Sequence, residues 1–161
     1  MGYTTELLGS FELNKPLTAA QTAYLQAFSK TRRVRRNSEL TADRPDPLRI
    51  AVGLPIGLQG AYFVGAEGPF GQEPSAPDVV EYNSPPEGQA SLWCHWIPTN
   101  DGTAIEWDQV EKFYEFEEWL SYLIDHFLKP WGYVLNGRVK WKGEERGDIG
   151  TIRVIDNRVS S

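Results

Sequence analysis

Hydrophobic and polar side chains alternate with a period of two near the start of the chain. Leu7, Phe11 and Leu13 fall on one side of this pattern, whereas Glu6 and Glu12 fall on the other. A two-residue period is typical of a strand with one buried face. The pattern therefore predicts a β-strand over residues 3–13.

Two later stretches follow helical spacing instead. Thr18 and Gln21 have the spacing of a capping box, which predicts a first helix from Thr18 to about Arg35. Asp108 and Glu111 have the same spacing ahead of an apolar stripe, so a second helix is expected from Asp108 to Lys129.

Strands are predicted around and after the second helix. Asp101-Gly102 lies between two apolar runs and predicts a hairpin with a type I′ turn, in which Trp96 faces Trp107 and His95 faces Asp108. Residues 133–141 alternate straight through Gly137, which favours one continuous strand with a glycine irregularity. Further strands are expected at residues 61–64, 79–82 and 151–156.

This order of elements predicts an α+β fold. We expect an antiparallel sheet of about five strands with two helices on one face, a two-layer sandwich of ferredoxin-like type. Residues 1–161 are predicted to form a single domain with a long Gly/Pro-rich loop at about 65–89.

Composition narrows the classes of function. The net charge of −6 disfavours nucleic acid as a partner outside a local basic patch. The single cysteine excludes an internal disulfide and a cysteine-type zinc site, and no membrane span is predicted. The first residues lack the pattern of a signal peptide, so a cytoplasmic protein is expected.

The local basic patch covers residues 30–36, with Lys30, Arg32, Arg33, Arg35 and Arg36. These cations complement the dipole at the end of the first helix. The alternative is a site for phosphate or for an acidic partner.

His95, Glu106 and Asp108 are the weak catalytic candidates. The hairpin would bring the imidazole beside a carboxylate among tryptophans, which is compatible with a small ligand-binding domain or a hydrolase or lyase pocket. A structural histidine is the competing interpretation. No metal site is predicted, because a third firm ligand is unsupported.

Aromatic side chains are the second candidate surface. The chain has six tryptophans, and helical spacing puts Trp119, Tyr122 and His126 on the flank of the second helix. Together with Trp93 and Trp107, these rings are predicted to bind a partner, since tryptophan and tyrosine supply much contact area at low entropic cost. Packing against the neighbouring Gly/Pro-rich loop is the alternative.

Several blocks of the sequence resemble a known family. They are residues 31–33, 82–86, 92–99, 101–108 and 132–137, of which the Trp-Cys and Glu-Trp-Asp blocks are the most distinctive. The chain resembles small uncharacterised proteins of bacteria, actinobacteria among them, and of their phages. The resemblance implies one compact domain and carries no activity or catalytic residues.

These observations favour a non-enzymatic interaction protein. The chain has no phosphate-binding loop, nucleophile elbow or dinucleotide fingerprint, so no cofactor is predicted. We expect a protein partner bound through exposed aromatic rings, and a mobile-element accessory or inhibitor is one setting for such a protein. The enzyme hypothesis on His95, Glu106 and Asp108 is the alternative.

Overall fold

The computed structural model describes residues 3–65 and 73–161. Its elements in chain order are β1 (Thr5–Leu13), α1 (Ala19–Lys30), β2 (Arg35–Arg36), α2 (Ser38–Ala42), α3 (Pro47–Ala51), a 3-10 turn (Leu58–Gly60), β3 (Val79–Glu81), β4 (Trp96–Pro98), β5 (Ala104–Trp107), α4 (Phe116–Leu123) with a π-helical extension (Ile124–Leu128), β6 (Leu135–Gly143), β7 (Ile149–Ile155) and β8 (Arg158–Ser160). The predicted α+β class is confirmed.

The chain divides into two compact units. The first, here the sheet unit, comprises residues 1–18 and 95–161, and the second, the insert unit, comprises residues 19–94. Of the two predicted helices, only the second lies in the unit that carries the main sheet. The single domain inferred from the sequence stays a prediction.

The sheet unit contains six antiparallel strands in the order β4-β5-β1-β6-β7-β8. About five strands were expected, and the additional one is β8, which follows a tight turn at Asp156 and Asn157. Both turn residues have positive φ, as a type I′ hairpin turn requires. The ferredoxin-like arrangement is not confirmed.

One face of the sheet carries the core of this unit. Phe11, Val139 and Ile152 are fully buried on that face, and α4 lies across it in contact with β4 and β8. The Trp96 indole N–H donates to the carbonyl oxygen of Phe116 at 2.7 Å. This bond satisfies a buried donor and ties the start of the helix to the edge of the sheet.

Glycine shapes the contact between β1 and β6. The strand β6 runs through Gly137, which has a φ of +139° and lies opposite Phe11, so the predicted glycine irregularity is confirmed. Gly9 in β1 has a φ of +110°, and a Cβ there would lie 3.1 Å from the carbonyl oxygen of Arg138. Close backbone approach and positive φ both favour glycine at this position.

The β4–β5 hairpin confirms the predicted register but corrects the turn. Trp96 pairs with Trp107 as expected. However, the Gly102 N–H donates to the carbonyl of Thr99, and only Gly102 has positive φ, so the turn is not type I′. The Asp101 carboxylate accepts from the hydroxyls of Thr99 and Thr103, and these bonds lower its pKa.

The insert unit departs further from the sequence predictions. The first helix ends at Lys30 rather than near Arg35, because the chain turns away and the Arg33 amide donates to the carbonyl of Leu92. Residues 61–64 form no strand, whereas Val79–Glu81 does and pairs with β2. The part of the predicted Gly/Pro-rich loop at residues 66–72 lies outside the described residues.

Candidate functional site

The hairpin brings His95 and Asp108 together as the sequence predicts. The Asp108 amide donates to the carbonyl oxygen of His95 at 2.9 Å, and the His95 Nδ1 lies 2.9 Å from the Asp108 Oδ2. The side chains are 10% and 16% exposed. The pair is therefore a well-formed contact at the end of the hairpin.

Both Asp108 oxygens have structural partners. One contacts His95, and the other accepts from the Val110 amide at 2.9 Å. The Phe113 ring meets the imidazole edge-on at 5.1 Å between centroids. The contacts fix the connection between β5 and α4, which is the structural interpretation of this histidine.

Glu106 does not extend this pair into a metal site. It lies within the sheet, opposite Ile97 on one side and Ser10 on the other. Across the described ranges 3–65 and 73–161, no three His, Cys, Asp or Glu side chains are grouped to hold a metal ion.

The expected helix start at Asp108 is wrong. Helix α4 begins at Phe116, and the preceding connection contains three non-glycine residues with positive φ: Gln109, Lys112 and Glu115. The physical reason is that the Asp108 carboxylate accepts from the amide two residues ahead, as in an Asx turn, so it caps no helix. Strained backbone positions of this kind cluster at functional sites, so the surface beside this connection is a candidate site.

That surface includes a part of β1 that no second strand covers. Strand β1 pairs with β6 over Thr5–Leu13, but its pairing with β5 extends only over Ser10–Glu12. In the part of the chain that the structure describes, residues 5–8 consequently have a neighbouring strand on one side only.

The direction of the free main-chain groups follows from the ladder. In antiparallel pairs the N–H and C=O of one residue point to the same neighbour, and the direction alternates along the strand. The Leu13 amide donates to Thr103, at the end of the loop that leads into β5. Alternation from Leu13 places the main-chain groups of Leu7 and Thr5 on this side too, beyond the last β1–β5 pair.

A shallow groove lies beside this strand edge. Its volume is about 370 Å³, and we call it the β1 groove; it is lined by Thr4, Glu6, Leu7, Leu8, Trp107, Gln109 and Glu111. Its charged lining residues are both carboxylates. The Trp107 indole is half-buried, and Leu8 is 74% exposed.

The start of β1 is held in place from the opposite side. The Thr4 amide donates to the Glu144 carboxylate at 2.7 Å. The Tyr3 hydroxyl donates to Asp148 and accepts from the Glu145 amide, and the bond to Asp148 raises the pKa of Tyr3. The free edge is thus anchored to the β6–β7 turn.

The predicted aromatic surface needs correction. Trp119 is 0% exposed and Tyr122 is 8% exposed, so neither presents a ring to solvent. His126 is exposed and stacks on Tyr122 at 4.1 Å. Trp93 is half-buried in the insert unit, and of the five predicted partner-binding residues only Trp107 lines the β1 groove.

The basic stretch at residues 30–36 is largely engaged inside the insert unit. Arg33 is fully buried and donates to Gln89 and to the carbonyls of Phe63 and Ala61. Arg36 is 2% exposed, with its Nε 3.6 Å from the Asp78 carboxylate, and burial lowers its pKa to about 10.

The other members of the stretch lie nearer the surface. Arg32 stacks on the Tyr82 ring and donates to the carbonyl of the same residue. Arg35 donates to the carbonyl of Pro85 at 3.0 Å, and Lys30 is exposed at the end of α1. Two of the five predicted anion-binding cations are therefore buried, and the arginines mainly hold the loops of the insert unit.

Comparison with known proteins adds no assignment. No protein-family model matches the chain, and neither a curated protein nor a solved structure matches it. The resemblance to small bacterial and phage proteins accordingly stays a prediction. Within residues 3–65 and 73–161, no helix is both long and apolar enough to cross a membrane.

Proposed function

We propose that the chain is a non-enzymatic interaction protein that binds an extended, basic peptide segment in the β1 groove. The observation that carries the proposal is the part of β1, residues 5–8, that pairs with no strand of the described residues on the side where Trp107 lies. The sequence prediction of an interaction protein is kept, but the working aromatic residue is Trp107 rather than Trp119 or Tyr122.

Strand addition supplies the affinity in this proposal. Extended peptides bind exposed strand edges through main-chain hydrogen bonds, and such edges are usually shielded in proteins. The outermost strands here, β4 and β8, are each three residues long, and β4 contains Pro98. The free edge at residues 5–8 lies inside the strand order and is bordered by the walls of a groove.

Alternation of side chains supplies the specificity. Glu6 and Leu7 point to opposite faces of the sheet, as their exposed and buried states show. A peptide strand paired with β1 would place alternate residues near Glu6 and near Leu7 with Trp107. The matching peptide alternates lysine or arginine with an apolar residue, because Glu6 and Glu111 attract cations, whereas Leu7 and Trp107 offer apolar contact.

A peptide titration tests this proposal. An acetylated, amidated hexapeptide that alternates lysine and valine is titrated into the full chain by calorimetry, beside a glutamate–valine hexapeptide. We expect the lysine peptide to bind and the glutamate peptide to bind at least about tenfold more weakly, or ~1.4 kcal/mol. Absence of binding by the lysine peptide, or equal binding of both peptides, would contradict the proposal.

Matched variants separate the groove from general charge attraction. Glu6→Gln and Glu111→Gln remove carboxylates of the groove, whereas Glu12→Gln removes one from the part of β1 that β5 covers. The two groove variants are expected to weaken binding of the lysine peptide, and Glu12→Gln to leave it unchanged. Equal weakening by all three would show attraction to net charge alone.

A further inference from the structure

The sheet unit has a second charged surface, on the face opposite α4. Alternate residues of β6, β7 and β8 face outward there, and five of them are cations. We call this surface the basic face; it comprises Arg138, Lys140, Lys142, Arg153 and Arg158. All five side chains are exposed.

The strand register concentrates these charges. Arg138 pairs with Arg153, so two arginine side chains project from directly opposed positions of neighbouring strands. Lys140 and Lys142 continue the row along β6 at intervals of about 7 Å. Directly opposed like charges destabilise a pair of strands, so this arrangement carries a cost in the free chain.

Carboxylates do not neutralise the row at close range. Among the described residues, none of the five cations has a carboxylate oxygen within 4.0 Å. Glu6 lies opposite Lys142 in the register without forming an ion pair. The cations project from a unit that is otherwise acidic, because of the 22 acidic residues of the chain most lie outside the insert unit.

Apolar side chains share the same face. Ile149 pairs with Lys142 and is 66% exposed, and Ile155 pairs with Arg158 and is 63% exposed. A hollow of about 530 Å³ adjoins Ile155 and is lined by Ile155, Asp156, Arg158 and Ser160. The face therefore offers apolar contact at two corners of a row of cations.

We infer that the basic face docks an acidic, amphipathic protein segment. Carboxylates of the partner would pair with Arg138, Arg153 and Lys140, and its apolar side chains would cover Ile149 and Ile155. Charge complementarity of this kind sets specificity and the rate of association. This surface borders the β1 groove, because Lys142 and Lys140 pair with Glu6 and Leu8, but the inference does not depend on the proposed peptide site.

Protein fits this face better than nucleic acid. Single-stranded nucleic acid gains affinity by stacking bases on aromatic rings, and the outward positions of β6, β7 and β8 hold none. Duplex contacts extend along the phosphate backbone, whereas this row is flanked by carboxylates of Glu144, Glu145 and Asp156. A short acidic segment matches the limited extent of the row.

A charge-reversal pair of variants tests the inference. Arg153→Glu places a carboxylate opposite Arg138, and Arg146→Glu makes the same change in net charge in the β6–β7 turn. The probe is a 14-residue helix-forming peptide of glutamate and leucine with a fluorescent label, and its lysine–leucine counterpart is the control. The full chain is titrated into each labelled peptide, and binding is measured as the rise in the fluorescence anisotropy of the peptide.

We expect the acidic peptide to bind, Arg153→Glu to weaken it at least tenfold and Arg146→Glu to change it by less than twofold. The thermal midpoint of Arg153→Glu should not fall, since the substitution removes a like-charge contact; an unchanged fold with lost binding supports the inference. Equal weakening by both variants, no binding of the acidic peptide, or tighter binding of a 20-nucleotide single strand or duplex would each overturn it.

Discussion

The indole N–H of Trp107 donates to the carbonyl oxygen of Val110 at 3.0 Å. This bond closes a short turn directly after β5 and orients the indole ring, which lines the β1 groove together with residues of β1. Because Asp108 also accepts from the Val110 amide, both main-chain groups of Val110 are fixed by neighbouring side chains. The wall of the β1 groove is therefore built before any peptide arrives, which lowers the entropic cost of binding.

Replacing Trp107 by phenylalanine tests this preorganisation. Trp107→Phe keeps an aromatic ring but loses the donor to Val110, so we expect weaker binding of the lysine–valine peptide and faster amide exchange at residues 109–111. Calorimetry and hydrogen exchange measure the two effects. Trp131→Phe, a half-buried ring elsewhere in the sheet unit, is the control; if it weakens binding as much as Trp107→Phe, the role of the indole bond is wrong.

Arg33 and Arg35 should differ sharply in their effect on stability. Arg33→Ala removes a fully buried guanidinium group together with its bonds to Gln89, Phe63 and Ala61, and it is expected to cost at least about 3 kcal/mol. Arg35→Ala removes one exposed bond to Pro85 and should cost below about 1 kcal/mol. Urea unfolding of the two variants compares them, and similar losses would contradict the structural role assigned to Arg33.

Gly9 should tolerate no side chain. Gly9→Ala introduces a Cβ 3.1 Å from the Arg138 carbonyl oxygen at a φ of +110°, and an expected loss of about 1–3 kcal/mol follows from the strain. Gly147 also has positive φ, but a Cβ there meets no atom within 4 Å. Gly147→Ala should therefore destabilise less in thermal unfolding, and the reverse order would show that crowding against β6 is not the cause.

Asp46 should make stability depend on pH. Its carboxylate is buried in the insert unit and accepts from the amides of Val64 and Arg49, and burial raises its pKa above the ordinary value of 3.8. When the pH rises from 3.8 towards the higher pKa of the folded state, the unfolded chain releases the Asp46 proton before the folded chain does. Asp46 therefore lowers the free energy of unfolding as the pH rises.

The variant Asp46→Asn isolates that contribution. It does not titrate, so the free energy of unfolding of the natural chain minus that of Asp46→Asn should fall as pH rises above 3.8. Urea unfolding over a series of pH values measures this difference. A difference that stays constant or increases would mean that the folded state does not favour protonated Asp46.

Local patterns predicted much of the sheet unit. The alternation of Leu7 and Phe11 with Glu6 located β1, and the Asp101-Gly102 signal gave the correct pairing of Trp96 with Trp107. These successes have a common cause, because strand periodicity and hairpin register depend on residues close together in the sequence.

The predictions that were wrong concern side chains whose contacts lie far away in the sequence. Helical spacing placed Trp119 and Tyr122 on a flank of α4, but spacing does not reveal what covers a flank, and both rings are buried. Arg33 resembled a surface cation, yet its acceptors at Ala61 and Phe63 lie about thirty residues further along the chain. Burial of a charge is decided by such contacts rather than by local composition.

The β1 groove was not predicted from the sequence either. Its existence depends on where β5 ends, and the chain leaves β5 because the Asp108 carboxylate binds His95 and the Val110 amide instead of capping a helix. The one available signal was the length of the alternating segment at β1, which exceeds that of the predicted hairpin strand beside it. The cations of β6 were visible as an alternating row, but only the register with β7 placed Arg138 against Arg153.

The amide of Leu7 gives the most direct measurement of the central claim. In a nitrogen-15 spectrum of the full chain, titration with the lysine–valine peptide should shift the amide signals of Leu7 and Thr5 and slow their hydrogen exchange, since strand addition gives both groups acceptors. A peptide with N-methylated alternate residues should lose this effect. Binding that leaves Leu7 and Thr5 unchanged, or that persists with the methylated peptide, would contradict strand addition at β1.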